Sequence, residues 1–244
     1  MNFISINLIY FCLASPVILI AFYGINKLNQ QSQPNYKLKI LVVSIALFIV
    51  RVLLVLFKDS IGIMPYLIED IVFYGTLTTF GLGITYFFIR FIEKTKIDML
   101  DFKCADLKKN IAYTLLGFIP LILMFPLILN LTNIAISYTF TFGKVIVALC
   151  FGLLGAFYEE IMFRGFIQDY FSKIFNKRKF KIVLSTALTF TLTHIFYLPF
   201  TGFGIYYIFV FNMAFILSIL KIYGNLIPCA LLHGGIVFIL IIFV

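Results

Sequence analysis

The sequence predicts an all-α fold, a polytopic membrane bundle of about eight transmembrane helices. Three observations predict it. The 244 residues are 63% hydrophobic and 12% charged, with a mean hydropathy of +1.10, against roughly 45–50% apolar and about 25% charged in a soluble globule. Apolar stretches approaching the ~20 residues that a crossing helix needs recur along the whole chain. The scarce cations gather in every second connection between those stretches. A soluble domain is excluded because too little polar surface exists to coat it, and disorder is excluded because apolar residues abound. The 15 Gly and 7 Pro are too few for a collagen-like or low-complexity chain.

Taken in order, the first stretch, 3–25, has no basic segment before it and is long enough to cross, which predicts a retained helix rather than a cleaved signal peptide. The second covers 40–57 and carries Arg51, read mainly as a structural or snorkelling cation. The third covers 71–92, and the mixed-charge connection at 93–110 predicts a short interfacial helix. The fourth, 111–131, contains Pro120 and Pro126 and is expected to be kinked or split. The last four cover 145–168, 182–198, 203–220 and 226–244. The chain is expected to divide into 1–110, with spans one to three and their following connection, and 111–244, with spans four to eight.

The formal charge of +9 comes from 19 Lys and Arg against 10 Asp and Glu. Fifteen of those cations lie in the odd-numbered connections, including Lys173, Lys177, Arg178, Lys179 and Lys181. By the positive-inside rule the odd connections face the cytoplasm of a multi-pass cell-membrane protein, with both termini outside. The excess therefore points to orientation and anionic lipid, and no nucleic-acid partner is expected. Cys12, Cys104, Cys150 and Cys229 show no CxxC spacing and are read as reduced thiols.

Eight of the ten acids occupy connections or span ends; the exceptions are the adjacent Glu159 and Glu160 inside span five. Each ionisable group within a span costs about 2.5 kcal/mol or more, so the two require a partner or a wet cavity. Arg164 follows Glu160 by four residues and shares its helical face, within reach of an ion pair. Glu159 is rotated by about 100° and faces elsewhere. The two histidines, His194 and His233, also lie in apolar spans. Glu160 stands about 13 Å along the helix from Asp169, His194 about 18 Å from Ile182 and His233 about 10 Å from Leu226, all within the cytoplasmic half of a bilayer. Such a site fits general-base catalysis on water, a zinc centre held by Glu159, His194 and His233, or a proton relay in a transporter. Residue types alone leave the three open. Gly152, Gly155, Gly234 and Gly235 are expected to let helices approach beside it.

Glu159-Glu160-Ile161-Met162-Phe163-Arg164 reads EExxxR, Phe190 to His194 reads FxxxH, and His233 lies in a final apolar helix. In this order and in separate spans, these motifs resemble the CAAX protease and bacteriocin-processing family of intramembrane endopeptidases, also called the Abi family, which includes the type II CAAX prenyl endopeptidases. The resemblance covers about 145–240. It implies peptide-bond hydrolysis within the membrane, acting on a hydrophobic, lipidated or leader-type peptide, and the depths of Glu160, His194 and His233 predict a site open to the cytoplasm. Glu159 would be the general base and His194 would assist it. His233 would stabilise the oxyanion, Glu160 and Arg164 would brace the helix, and Phe190 would pack the site. Family members are described both as zinc-type metalloproteases and as glutamate proteases without metal. The family usually places Asn or Asp four residues after the last His, where this chain has Val237; Asn212 is a substitute candidate. That departure keeps in view a non-proteolytic membrane interactor, such as an immunity protein, of the same fold, ahead of a proton-coupled transporter.

Overall fold

The computed structural model describes residues 3–30, 35–61, 66–94, 106–132, 141–195 and 204–243. Every regular element among them is helical. Eight helical rods follow one another: α1 (Phe3–Asn29), α2 (Tyr36–Ile61), α3 (Tyr66–Phe87, continued by a π-helical turn at Phe88–Ile92), α4 (Leu107–Thr132), α5 (Phe142–Ile174), α6 (Lys179–Leu192), α7 (Gly204–Tyr223) and α8 (Leu226–Phe243). The chain forms two compact units, Met1–Lys96 and Ile97–Val244.

In the first unit α1, α2 and α3 pack on one another around Ile25, Val43, Val50, Phe88 and Ile89. Two polar links tie the end of α3 back to the others. Asn29 Nδ2 donates to the Ile92 carbonyl at 2.8 Å, and the buried Lys39 ammonium meets Glu93 Oε1 at 3.3 Å. Arg51 is buried as well.

In the second unit α8 packs against α4, α5 and α7, while α6 lies along α7. Leu226, Leu232 and Ile236 of α8 are buried. The approach of α8 to α5 depends on Gly234, where a Cβ would stand 2.7 Å from Leu153 Cδ2 and 3.2 Å from Leu153 Cα. A Cβ there would push the Leu153 side chain aside and crowd its Cα by a few tenths of an ångström. Asn225 pins the α7–α8 turn to α4 by donating to Asn110 Oδ1 at 2.8 Å, and its own Oδ1 accepts the Ile227 N–H at the start of α8. On the opposite side of α4, Leu115, Leu116, Ile119, Ile122 and Leu123 are exposed. An apolar exterior of this kind suits lipid and would aggregate in water.

Among the described residues three helices are long and apolar enough to cross a membrane, within Leu107–Met124, Phe142–Ile174 and Tyr206–Tyr223. Of the kink or split expected in α4, the split is absent: a single helix runs through both Pro120 and Pro126. Each proline removes one backbone hydrogen bond, but in an apolar setting the remaining bonds have no water to exchange with, so helix persists around them. The α-helix of α6 ends at Leu192, where Thr193 and His194 form a turn closed by His194 N–H donating to the Thr191 carbonyl, and residues 196–198 of the expected 182–198 stretch lie outside the described residues. Its 14 residues span about 21 Å, less than the ~30 Å hydrocarbon core. Most of the connection expected to form an interfacial helix lies outside the described residues.

Candidate active site

α5 carries the site, and its local geometry changes there. Leu153–Glu160 is α-helical, whereas Ile161–Ile167 widens into a π-helical turn, closed by Gln168 N–H donating to the Phe163 carbonyl five residues back. Such widened turns are rare and cluster at functional positions. This one begins directly after the Glu pair and contains Arg164.

Glu160 and Arg164 are both fully buried. Glu160 Oε1 accepts from Arg164 Nη1 at 2.9 Å and from His233 Nδ1 at 2.8 Å. The second guanidinium nitrogen, Nη2, donates to the Ala214 carbonyl on α7 at 3.2 Å. Arg164 also lies 4.5 Å above the Phe190 ring, a cation–π arrangement made stronger by exclusion of water. Glu160 Oε2 and Arg164 Nε have no hydrogen-bond partner among the described residues.

Phe190 is the hub. Its ring meets Phe163 edge-on at 4.8 Å, His194 at 4.3 Å and His233 edge-on at 5.7 Å. His194, just beyond the end of α6, donates from Nδ1 to the Phe190 carbonyl at 2.8 Å. A carbonyl oxygen only accepts, so that bond fixes the proton on Nδ1 and leaves Nε2 as the acceptor in the neutral ring. His233 is oriented by Glu160 through the same nitrogen. Both imidazoles are thus anchored through Nδ1.

Glu160, Arg164, Phe190, His194 and His233 therefore converge from α5, the end of α6 and α8. Glu159 occupies the next position on α5, 8% exposed, and accepts a hydrogen bond from Tyr158 Oη at 3.3 Å. Val237, one turn past His233, lies over Gly152 of α5, 3.4 Å from where a Cβ would stand. Asn212 turns its amide onto its own helix, donating to the Ile208 carbonyl at 2.7 Å. Among the described residues no three His, Cys, Asp or Glu side chains are grouped so as to hold a metal ion. The site as built does not fit such an ion. Two contributors were not foreseen from sequence. Tyr158 gave no signal, as one Tyr among 14. Gln168 did give one, because it continues the four-residue row of Glu160 and Arg164, and it is buried with Nε2 donating to the Ser218 carbonyl on α7 at 3.0 Å.

The three motifs that meet at Phe190 fall within a single matched segment. Residues 141–239 match the Rce1-like family. Its description is type II CAAX prenyl endopeptidase Rce1-like. The Rce1-like segment runs from the residue before α5 into the last turns of α8, and so holds every site residue named above. Comparison with curated proteins and with solved structures gave no match.

Proposed function

We propose that this multi-pass membrane protein is an intramembrane endopeptidase of the CAAX type, hydrolysing a hydrophobic or lipidated peptide at a site open to the cytoplasm, with eight helices crossing the bilayer. One observation carries the reading: within the Rce1-like segment, Glu160, Arg164, His194 and His233 assemble around one buried ring, beside a second carboxylate.

In this mechanism Glu159 takes a proton from water, and the water oxygen attacks the carbonyl carbon of the scissile bond. His194 assists by accepting from the water through Nε2, its Nδ1 being committed to the Phe190 carbonyl. Charge develops on the former carbonyl oxygen, which His233, oriented through Nδ1 by Glu160, stabilises. Glu159 then delivers its proton to the amide nitrogen, and the C–N bond breaks. Glu160 and Arg164 hold His233 and bind α5 to α7 and α8. Arg164 is not consumed in the step.

The packing of Val237 against Gly152 favours a second reading, a membrane interactor of the same fold without hydrolysis, because an apolar contact stands where the family usually has a polar group.

The test is direct. Purified protein in phospholipid vesicles is incubated in ¹⁸O-water with a farnesylated peptide carrying a C-terminal aliphatic tripeptide, and products are read by mass spectrometry. The proposal expects a released tripeptide and one ¹⁸O in the new carboxylate. An intact peptide, with Val237→Asn equally inert, favours the interactor.

A further inference from the structure

α5 and α7 are joined by a ladder that the chemistry above does not use in full. Arg164 and Gln168, four residues apart on α5, donate to the backbone carbonyls of Ala214 and Ser218, also four residues apart on α7, at 3.2 and 3.0 Å. Ser218 Oγ closes the gap by donating to the Ala214 carbonyl at 2.8 Å. Ala214, Leu217 and Ser218 are fully buried, as is Arg164, and Gln168 is 4% exposed. Two rungs with the same spacing fix how far α7 can slide along α5, because a shift of one residue would break both. The upper rung is shared: the guanidinium that donates to Ala214 also donates to Glu160, and Glu160 in turn holds His233 Nδ1. A displacement of α7 therefore reaches the imidazole through two side chains, Arg164 and Glu160.

We propose that Gln168 is a positioning residue, whose bond to the Ser218 carbonyl sets the register of α7 and thereby aims Arg164, Glu160 and His233. It touches no reacting atom. Its side chain is the lower rung, and without it the guanidinium alone must hold α7 while also holding Glu160. The unpartnered Gln168 Oε1 shows that the amide is committed to α7 through its nitrogen alone. The importance of His233 for catalysis rests on the proposed function, but the geometry of the ladder does not.

The experiment exploits the presence of only two histidines in the chain. Protein labelled with ¹⁵N-histidine, in detergent micelles, yields two imidazole signal sets, assigned with His194→Gln. Two variants remove the rung: Gln168→Met, which keeps the length without the amide, and Gln168→Asn, which keeps the amide but shortens it. Asn110→Ala, which breaks the pin between α4 and the α7–α8 turn, is the control for a merely structural loss. The ladder predicts that both Gln168 variants shift the His233 nitrogens while the control leaves them in place, at matched loss of thermal stability. Losing one neutral hydrogen bond predicts a fall in kcat of about three- to tenfold at unchanged KM. If the His233 signals stay put in both variants, or move equally in the control, the inference is overturned. If one variant does not fold, the other decides. Should the wild-type protein cleave nothing, the spectra still decide the ladder, so failure of the endopeptidase reading and failure of the register reading are distinguishable.

Discussion

Replacing Arg164 by Met keeps the bulk of the side chain and removes its charge. The perturbation leaves Glu160, fully buried, without the guanidinium at 2.9 Å and leaves the Ala214 carbonyl without its donor from Arg164. Breaking one partner out of a buried ion pair costs about 3–5 kcal/mol, most of it the penalty on the stranded charge. Loss of the contact above the Phe190 ring acts in the same direction. The double variant Arg164→Met with Glu160→Gln no longer strands a charge, and the Gln oxygen still accepts from His233 Nδ1. It should recover about 2 kcal/mol of the loss. The assay is a double-mutant cycle, with unfolding in mixed micelles followed by circular dichroism. A single variant costing less than about 1 kcal/mol, or two substitutions adding to within about 0.5 kcal/mol, would refute the reasoning.

The remaining predictions concern packing, tautomers and rate. Gly234→Val drives two methyl groups into Leu153 and should destabilise the second unit by about 1–3 kcal/mol, read as a fall in thermal midpoint; an unchanged midpoint would mean α8 and α5 stand further apart than described. Nitrogen NMR of the two histidines should find Nδ1 protonated in both rings, and an Nε2–H tautomer of neutral His194 would contradict its bond to Phe190. Val237→Asn adds a polar group one turn from His233 and should raise the cleavage rate, up to about a hundredfold if it acts as an oxyanion donor; a lower rate at equal stability would count against that role.

Much of this architecture was legible in the sequence, since apolar runs and cation alternation reflect the cost of placing charge in hydrocarbon. Eight helical rods lie where eight apolar stretches were read, although only three of them are individually long and apolar enough to cross among the described residues. The Glu160–Arg164 pair was legible because a four-residue spacing puts two side chains on one helical face. The early end of α6 was not. Leu192 to His194 continues an apolar stretch, and what stops the helix is a local choice of hydrogen bonds, with Thr193 Oγ1 donating to the Phe190 carbonyl and the His194 ring donating to it as well. A composition window cannot register that competition. The π-helical turn at Ile161–Ile167 was equally hidden, because it changes which backbone groups pair and not which residues are apolar. The bond between Glu160 and His233 joins residues 73 apart, and matching depths in two spans brought them to one level without saying which nitrogen faces which oxygen. Gln168 falls at the end of the 145–168 stretch, and its burial follows from the greater length of α5, which carries helix beyond that stretch on both sides.

The central claim is that Glu159 activates the water while Glu160 holds the framework, and the comparison that tests it most directly is the initial rate of peptide cleavage by wild type and by Glu159→Gln in the same vesicles. Loss of a positioned general base predicts a fall of about 10²–10⁴-fold, with the thermal midpoint unchanged because Gln keeps the size of the side chain and still accepts from Tyr158 Oη. Equal cleavage by the two proteins would contradict the account.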